Sequence, residues 1–294
     1  MTPPACTVVV AVRGPGDPRA CFDALERQIG PGDEVIVVDD GTLDGCPPWA
    51  RRMSAPGALA PELWALGLAD ARGPVVALTT SSAAPAPGWL ERVRAAGTGS
   101  AAAVGGAVEP GDGYSTIDWA VYLCRYAKYM LPFAAHATPD LAGDNVAYRT
   151  AVVGAYRHIW QDGFWEPFVH AAMAADGHAL TLRPDMVVRM VPGGGAREFS
   201  SMRFRHGRHH GLMRSAGLGR GAILAGALTA PLVPPLMTAR AGRQVWGRGR
   251  LRARFLQALP AILWFYSCWA AGELAGRLQA VASPGAHVPH REPG

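Results

Sequence analysis

Short apolar runs alternate with amphipathic stretches along the first hundred residues. Thr7 to Val12 reads T-V-V-V-A-V, an unbroken apolar run fit for a strand buried on both faces. Pro18 to Gln28 sets Cys21, Phe22 and Leu25 on one side of a helix, and Gly30-Pro31-Gly32 ends it. Glu34 to Val38 predicts a second buried strand and Glu62 to Ala71 a helix. Gly73-Pro74 then breaks into a strand at Val75 to Leu78. Trp89 to Ala96 reads as a further helix and Ala101 to Val108 as a strand. This βαβ alternation with short loops predicts a doubly wound, mainly parallel α/β sheet. Ligands of such sheets sit beyond the carboxyl ends of the strands, where Asp39, Asp40 and Ser81 fall.

The pattern changes further on. Tyr114 to Leu131 is a helix dense in aromatics, suited to core packing or, alternatively, to a membrane interface. Asn145 to Val153 resumes a strand-to-helix pattern, and Phe164 to Gly177 predicts a helix with Trp165 and Glu166 in its first turn. Met186 to Val191 is a last short strand. After Gly193-Gly194-Gly195 come a basic, His-containing stretch (Arg203 to Arg214), an apolar run with three prolines (Gly221 to Met237), a second basic stretch (Arg240 to Arg254) and an aromatic-rich apolar run (Phe255 to Ala271). The expected organisation is an α/β domain over 1–200, a basic and apolar helical region over 201–282, and a disordered tail over 283–294. Each apolar run is about 17 residues, the short edge of the spanning range. A hairpin of two spans would put the arginine-rich 240–254 segment across the membrane from a cytoplasmic first domain, against the positive-inside rule. The expectation is therefore segments that lie on, or dip into, the cytoplasmic leaflet, with arginines at the headgroups; a true hairpin is the alternative.

Charge and cysteines narrow the classes. The net charge of +5 comes almost wholly from arginine, Lys128 being the one lysine. The arginines crowd beside apolar runs without any nucleic-acid-binding signature, which favours headgroups or a pyrophosphate over a nucleic acid. Five scattered cysteines without a C-x-x-C pair predict neither a disulfide framework nor a zinc knuckle, and a reducing compartment. No charged-then-apolar leader precedes the first strand, so no secretory signal is expected.

The chemistry concentrates in D-E-V-I-V-V-D-D-G-T, Asp33 to Thr42. Carboxylates at a parallel strand's tip accept from a nucleobase N–H or from ribose hydroxyls. The plainer reading is a capped turn, which Asp and Gly form readily. The surrounding run shifts the balance toward the first. T-V-V-V-A-V-R, C-F-D-A-L, the acidic segment itself, A-R-G-P-V-V-A-L, P-A-P-G-W-L (85–90), A-G-D-N-V-A-Y-R (142–149) and F-W-E-P-F-V-H-A-A-M-A-A-D-G-H (164–178) together resemble the family 2 glycosyltransferases of GT-A fold, over roughly residues 6 to 215. The Trp-rich C-terminal stretch is similar to that of membrane-associated members working on polysaccharides or lipid-linked sugars.

The resemblance implies a GT-A, nucleotide-diphospho-sugar transferase-like fold. It also implies inverting transfer from a UDP- or GDP-linked sugar to a cell-surface or lipid-linked glycan at the cytoplasmic face of the membrane. Asp39 then matches the residue contacting the base, with Asp40 near the ribose and Ser81 and Ser82 at the donor. Glu166 matches the general base on the acceptor hydroxyl, and Asp144, Asn145 and Trp165 lie on the acceptor side. For Glu166 the plainer reading is stabilisation of a helix dipole, and for Asn145 a helix cap. The departures from the family are specific. Thr80, Ser81 and Ser82 stand where it carries an Asp-x-Asp-like pair for Mg²⁺ or Mn²⁺. Met190 stands for a metal-binding histidine, and Trp64 for an arginine near the donor. Neutral hydroxyls are poor ligands for hard cations, so the expected site is metal-independent or only weakly metal-dependent, with Mg²⁺ or Mn²⁺ not supported by the sequence. Its charge would come from Arg203, Arg205, Arg208, His206, His209 or His210. The alternative is a homologue that has lost transfer and binds a partner or precursor. A cleft lined by Glu166, Asp39 and Ser81, with Arg203 to Arg208 at its mouth, fits the enzyme. A side chain such as Trp64 filling that cleft fits the alternative.

Overall fold

The computed structural model describes residues 4–14 and 16–282, so the tail expected at 283–294 lies outside the described residues. The chain divides into two compact units: 1–112 with 129–191, and 113–128 with 192–294. In chain order the elements are β1 (Cys6–Val12), α1 (Arg19–Glu26), β2 (Asp33–Asp39), β3 (Arg51–Ser54), α2 (Ala60–Ala69), β4 (Val75–Thr80), β5 (Ala83–Pro85), α3 (Trp89–Ala96) and β6 (Ala103–Pro110). Then follow α4 (Thr116–Tyr126), β7 (His136–Ala137), β8 (Asn145–Arg149), α5 (Thr150–Ala155), α6 (Arg157–Trp160), α7 (Glu166–Ala175), β9 (Leu180–Met190), α8 (Ala196–Ser215), α9 (Arg220–Leu228), α10 (Val233–Arg248) and α11 (Arg252–Ala282).

The first unit is a mixed α/β structure around one sheet. Its strand order is β3-β2-β1-β4-β8-β6-β9-β5, with β7 on β9. β3, β2, β1 and β4 run parallel, β8 runs against both its neighbours, and β6 and β9 return to the first direction. The central strands are buried on both faces, as their unbroken Val, Ile and Leu runs require: Val8, Val9, Val10, Ile36, Val37, Val38, Val76 and Leu78 have no exposed surface.

Two strands escape the hydrophobic pattern. β3 opens with Arg51-Arg52 and lies at the sheet edge, where one face is solvated. β9 is eleven residues long, not the six expected; Arg183, Pro184 and Asp185 break the apolar pattern of its first half, and the Arg183–Asp185 ion pair accommodates the two charges. There the ladder with β6 shifts register between Gly106 and Ala107, the kind of irregularity that tolerates a proline. The chains approach so closely that a Cβ on Gly106 would stand 1.7 Å from the Met186 carbonyl oxygen.

In the second unit, α8 and α11 meet through paired glycines. A Cβ on Gly207 or Gly211 would come within 2.3 Å of the carbonyl oxygens of Trp269 and Glu273; one on Gly272 or Gly276 would be 2.1 Å from those of Phe204 and Arg208. Glycines four residues apart on both helices let the two backbones touch. α4 packs on α11, with the Tyr266 hydroxyl donating to the Cys124 carbonyl (3.1 Å) and Arg254 over the Trp119 ring. The basic 240–254 stretch is helical on both sides of a turn at Gly249–Leu251, not a loop. Two helical stretches, Arg220–Arg248 and Arg252–Ala282, are long and apolar enough to cross a membrane. Only 11% of the most apolar window of the first is buried, so it is not a core helix.

His209 and His210, on α8, are pushed down to about 4 by burial and are neutral at pH 7. In the unfolded chain they titrate near 6.5. Between about 6.5 and 4 the unfolded state therefore holds more protons, and stability falls as pH falls. Denaturation midpoints at pH 7 and pH 5 should differ, and His209→Gln/His210→Gln should flatten the dependence. An unchanged slope in the double variant would assign the acid sensitivity to other groups.

Candidate functional site

One edge of the sheet collects the candidate residues of the first unit. The Asp40 N–H donates to the Val12 carbonyl (3.1 Å) and the Ser81 N–H to the Ala11 carbonyl (3.0 Å), tying the carboxyl ends of β2 and β4 to β1. Thr79 Oγ1 donates to the Asp144 carbonyl (2.9 Å) and Thr80 Oγ1 to Asp144 Oδ1 (3.0 Å), drawing the loop before β8 to the same edge. With its proton committed there, Thr80 accepts from Ser82 Oγ at 3.1 Å. The Gly143 N–H donates to Glu166 Oε1 (3.1 Å), so the first residue of α7 closes the series. From β2 across β1 and β4 to β8 are three interstrand steps, a span of about 14 Å.

Asp40 organises this edge. Its Oδ2 accepts from the Gly14 N–H (3.0 Å) and its Oδ1 from the Thr42 hydroxyl (2.6 Å), holding the turn after β1 against the turn after β2. Gly41 makes that second turn at φ +90°, a conformation side chains resist.

Asp39 is spent differently from the expectation. It has no exposed surface. Its Oδ2 accepts from Arg52 Nε (2.8 Å), and its Oδ1 from Arg52 Nη2 (3.1 Å), the Gly41 N–H (2.8 Å) and Ser54 Oγ (3.3 Å). Burial pulls the carboxyl upward, but these donors outweigh it and hold it below the ordinary carboxylate value. A nucleobase N–H finds this acceptor already saturated. The sequence carried no signal for Arg52, which arrives on an edge strand the pattern did not predict.

Asn145 also departs from its expected place on the acceptor side, and from the helix-cap reading. It opens β8 with no exposed surface. Its Nδ2 donates to the carbonyls of Ala107 and Met186 (2.9 Å each), and its Oδ1 accepts from Trp89 Nε1 (2.8 Å). It bridges the two strands where their register shifts, which is a structural role. Trp165 lies just ahead of α7 rather than in its first turn; it is half-buried, with its indole against Gly163.

Glu166 and Trp64 converge on Gly143. A Cβ there would lie 2.3 Å from Glu166 Oε1 and 2.6 Å from the Trp64 ring. Trp64 is buried, its Nε1 donating to the Thr79 carbonyl at 2.7 Å. One turn along α7, His170 Nδ1 accepts from the Leu141 N–H (3.3 Å), so its Nε2 carries the proton and donates to Tyr148 Oη at 2.7 Å. Burial, and then the Glu166 charge, raise the Tyr148 phenol well above its ordinary value, so it stays protonated.

Arg205 and Arg208 belong to the second unit. Arg208 is held by Gln279 Oε1 (Nη2 at 2.6 Å), Arg205 is exposed, and Arg203 lies 5.9 Å over the rings of Tyr266 and Trp269. His209 and His210, neutral through burial, bring no charge to a diphosphate, which corrects that part of the expectation. Neither does the donor set fit a hard divalent cation. Thr80 and Ser82 offer hydroxyls already in a hydrogen-bonded series, Met190 offers a buried thioether, and no group of three or more His, Cys, Asp or Glu that could hold a metal occurs among the described residues.

No protein-family model matches the chain, and no curated protein matches it either. Among solved structures it is similar to the mannosyltransferase PcManGT from Pyrobaculum calidifontis, solved in complex with GDP-Man and Mn²⁺. The TM-score is 0.51 at 18% identity, over 97% of this chain and 90% of that one. The likeness is one of fold: a mixed α/β sheet with helices, similar to that of a glycosyltransferase.

Proposed function

We propose that this chain is a family 2 glycosyltransferase of GT-A fold. It transfers a sugar, with inversion, from a UDP- or GDP-linked donor to a cell-surface or lipid-linked glycan, without an Asp-x-Asp metal site. The observation that carries the reading is the single sheet edge to which hydrogen bonds tie the Asp40 turn, Ser81, Ser82, the Asp144 loop and Glu166. The structural neighbour's bound GDP-Man supports a nucleotide-sugar donor. In this reading the Glu166 carboxylate takes the proton of an acceptor hydroxyl as its oxygen bonds to the anomeric carbon. The bond to the nucleoside diphosphate breaks on the opposite face. Exposed Leu228, Leu232, Leu236 and Trp264 beside the arginines of α10 and α11 support a location on an anionic membrane surface, at its cytoplasmic face.

Calorimetric titration with nucleotide-sugars, with and without Mn²⁺, tests the donor reading. Binding of a UDP- or GDP-sugar with the same affinity in the presence of a chelator is the expected result. An absolute requirement for Mn²⁺ would overturn the metal-free site.

A second reading, a homologue that binds donor or partner without transferring sugar, is favoured by the Trp64 ring lodged against Gly143 beside the Glu166 carboxylate. It predicts nucleotide binding with no turnover by the wild-type chain.

A further inference from the structure

The end of β2 presents a cation rather than the carboxylate its sequence advertises. Asp39 is fully buried and accepts from Arg52, Ser54 and the Gly41 N–H, whereas the Arg52 side chain is 39% exposed. Three of the five guanidinium N–H bonds are fixed: Nε and one Nη2 hydrogen on Asp39, and the other Nη2 hydrogen on the Leu43 carbonyl at 2.9 Å. Among the described residues Nη1 has no hydrogen bond, which leaves its two N–H groups on a guanidinium whose orientation is set from behind by a buried anion. Such preorganisation lowers the entropy lost when an acceptor arrives.

The chemistry of what Nη1 faces follows from the pair. The Asp39 charge neutralises the guanidinium locally, so the pair holds little attraction for a phosphate and suits a neutral acceptor. The bonds to Asp39 and to the Leu43 carbonyl place the Arg52 guanidinium at the β2 end of the edge, opposite the Glu166 end.

We propose that Arg52 selects the nucleobase. Its Nη1 donates to a ring carbonyl, so the site takes an oxo-bearing base (uracil through O4 or guanine through O6) and disfavours adenine, which turns an amino donor toward the same N–H groups. This assignment rests on the nucleotide-sugar reading above and names the residue that would discriminate within it. It reverses the polarity expected from Asp39, which as a base contact would accept an N–H.

The test is calorimetric binding of UDP, GDP and ADP to the full chain, to Arg52→Lys and to Asp39→Asn/Arg52→Gln. The lysine keeps the charge but loses the fork. The double variant removes both charges together, so no buried carboxylate is left unpaired, and its melting temperature reports that it is folded. The wild-type chain is expected to bind UDP or GDP about tenfold more tightly than ADP, the effect of one hydrogen bond. Whichever of the two binds identifies the base. Both variants should lose that preference. Equal affinity for ADP in the wild type, or an unchanged preference in the folded double variant, overturns the assignment. Binding of none of the three overturns the donor reading itself, and this assignment with it.

Discussion

Glu166→Gln is expected to lower sugar transfer by about 10²- to 10⁴-fold, the usual contribution of a positioned general base, while donor affinity stays unchanged. The substitution is nearly isosteric. The glutamine carbonyl still accepts from the Gly143 N–H, as Glu166 Oε1 does at 3.1 Å, so the loop before β8 keeps its place. What is lost is the ability to take a proton. The plainer reading of Glu166 predicts something else. As an acidic residue in the first turn of α7, it favours the helix dipole by about 0.3–1 kcal/mol, and its neutralisation would show as a small drop in melting temperature with transfer intact. Measuring turnover, donor binding and melting temperature on the same variant separates the two. Retained turnover would remove Glu166 from the chemistry. Full-length chain with no turnover in any variant, but with nucleotide bound, would favour the non-transferring homologue and give the Trp64 ring beside Gly143 its meaning.

The parallel half of the sheet was legible because β1, β2 and β4 are buried on both faces and must be continuous apolar runs. Strands with one solvated face hide in the same pattern. Arg51-Arg52 look like surface residues until β3 is seen at the sheet edge, and Pro184 cuts β9 in two for any reader of periodicity. The site follows the same division. Positions fixed by strand ends, such as Asp40 and Ser81, fall where chain order places them. Partners supplied across long sequence separations do not: Arg52 for Asp39, Gly143 for Glu166, Thr80 for Asp144. Residue type alone misleads there, because a carboxylate at a strand tip looks alike whether it faces a ligand or a buried arginine. Thr79 to Ser82 make the converse point. Judged as missing metal ligands they look like a loss, yet two of their hydroxyls are what anchor the Asp144 loop.

Asn145→Ala should cost about 3–6 kcal/mol of stability, a large part of the 5–15 kcal/mol by which a typical domain is folded. The side chain satisfies three buried groups at once: the Ala107 and Met186 carbonyls and the Trp89 indole N–H. Truncation leaves all three without a partner in a region with no exposed surface, at about 1–3 kcal/mol each, partly relieved if water enters the space vacated. Asn145→Asp should be no milder, because it turns a carboxylate toward two carbonyl oxygens and removes both donors. Trp89→Phe removes one bond and keeps the other two, so it should cost less than Asn145→Ala. The double variant should cost less than the sum, since the two share that bond. Denaturant unfolding followed by tryptophan fluorescence reads all of these. A cost under about 1 kcal/mol for Asn145→Ala, accompanied by lost transfer, would return the residue to the acceptor side. The bridge across the β6–β9 register shift predicts the reverse: stability falls first, and transfer falls only as the folded fraction does.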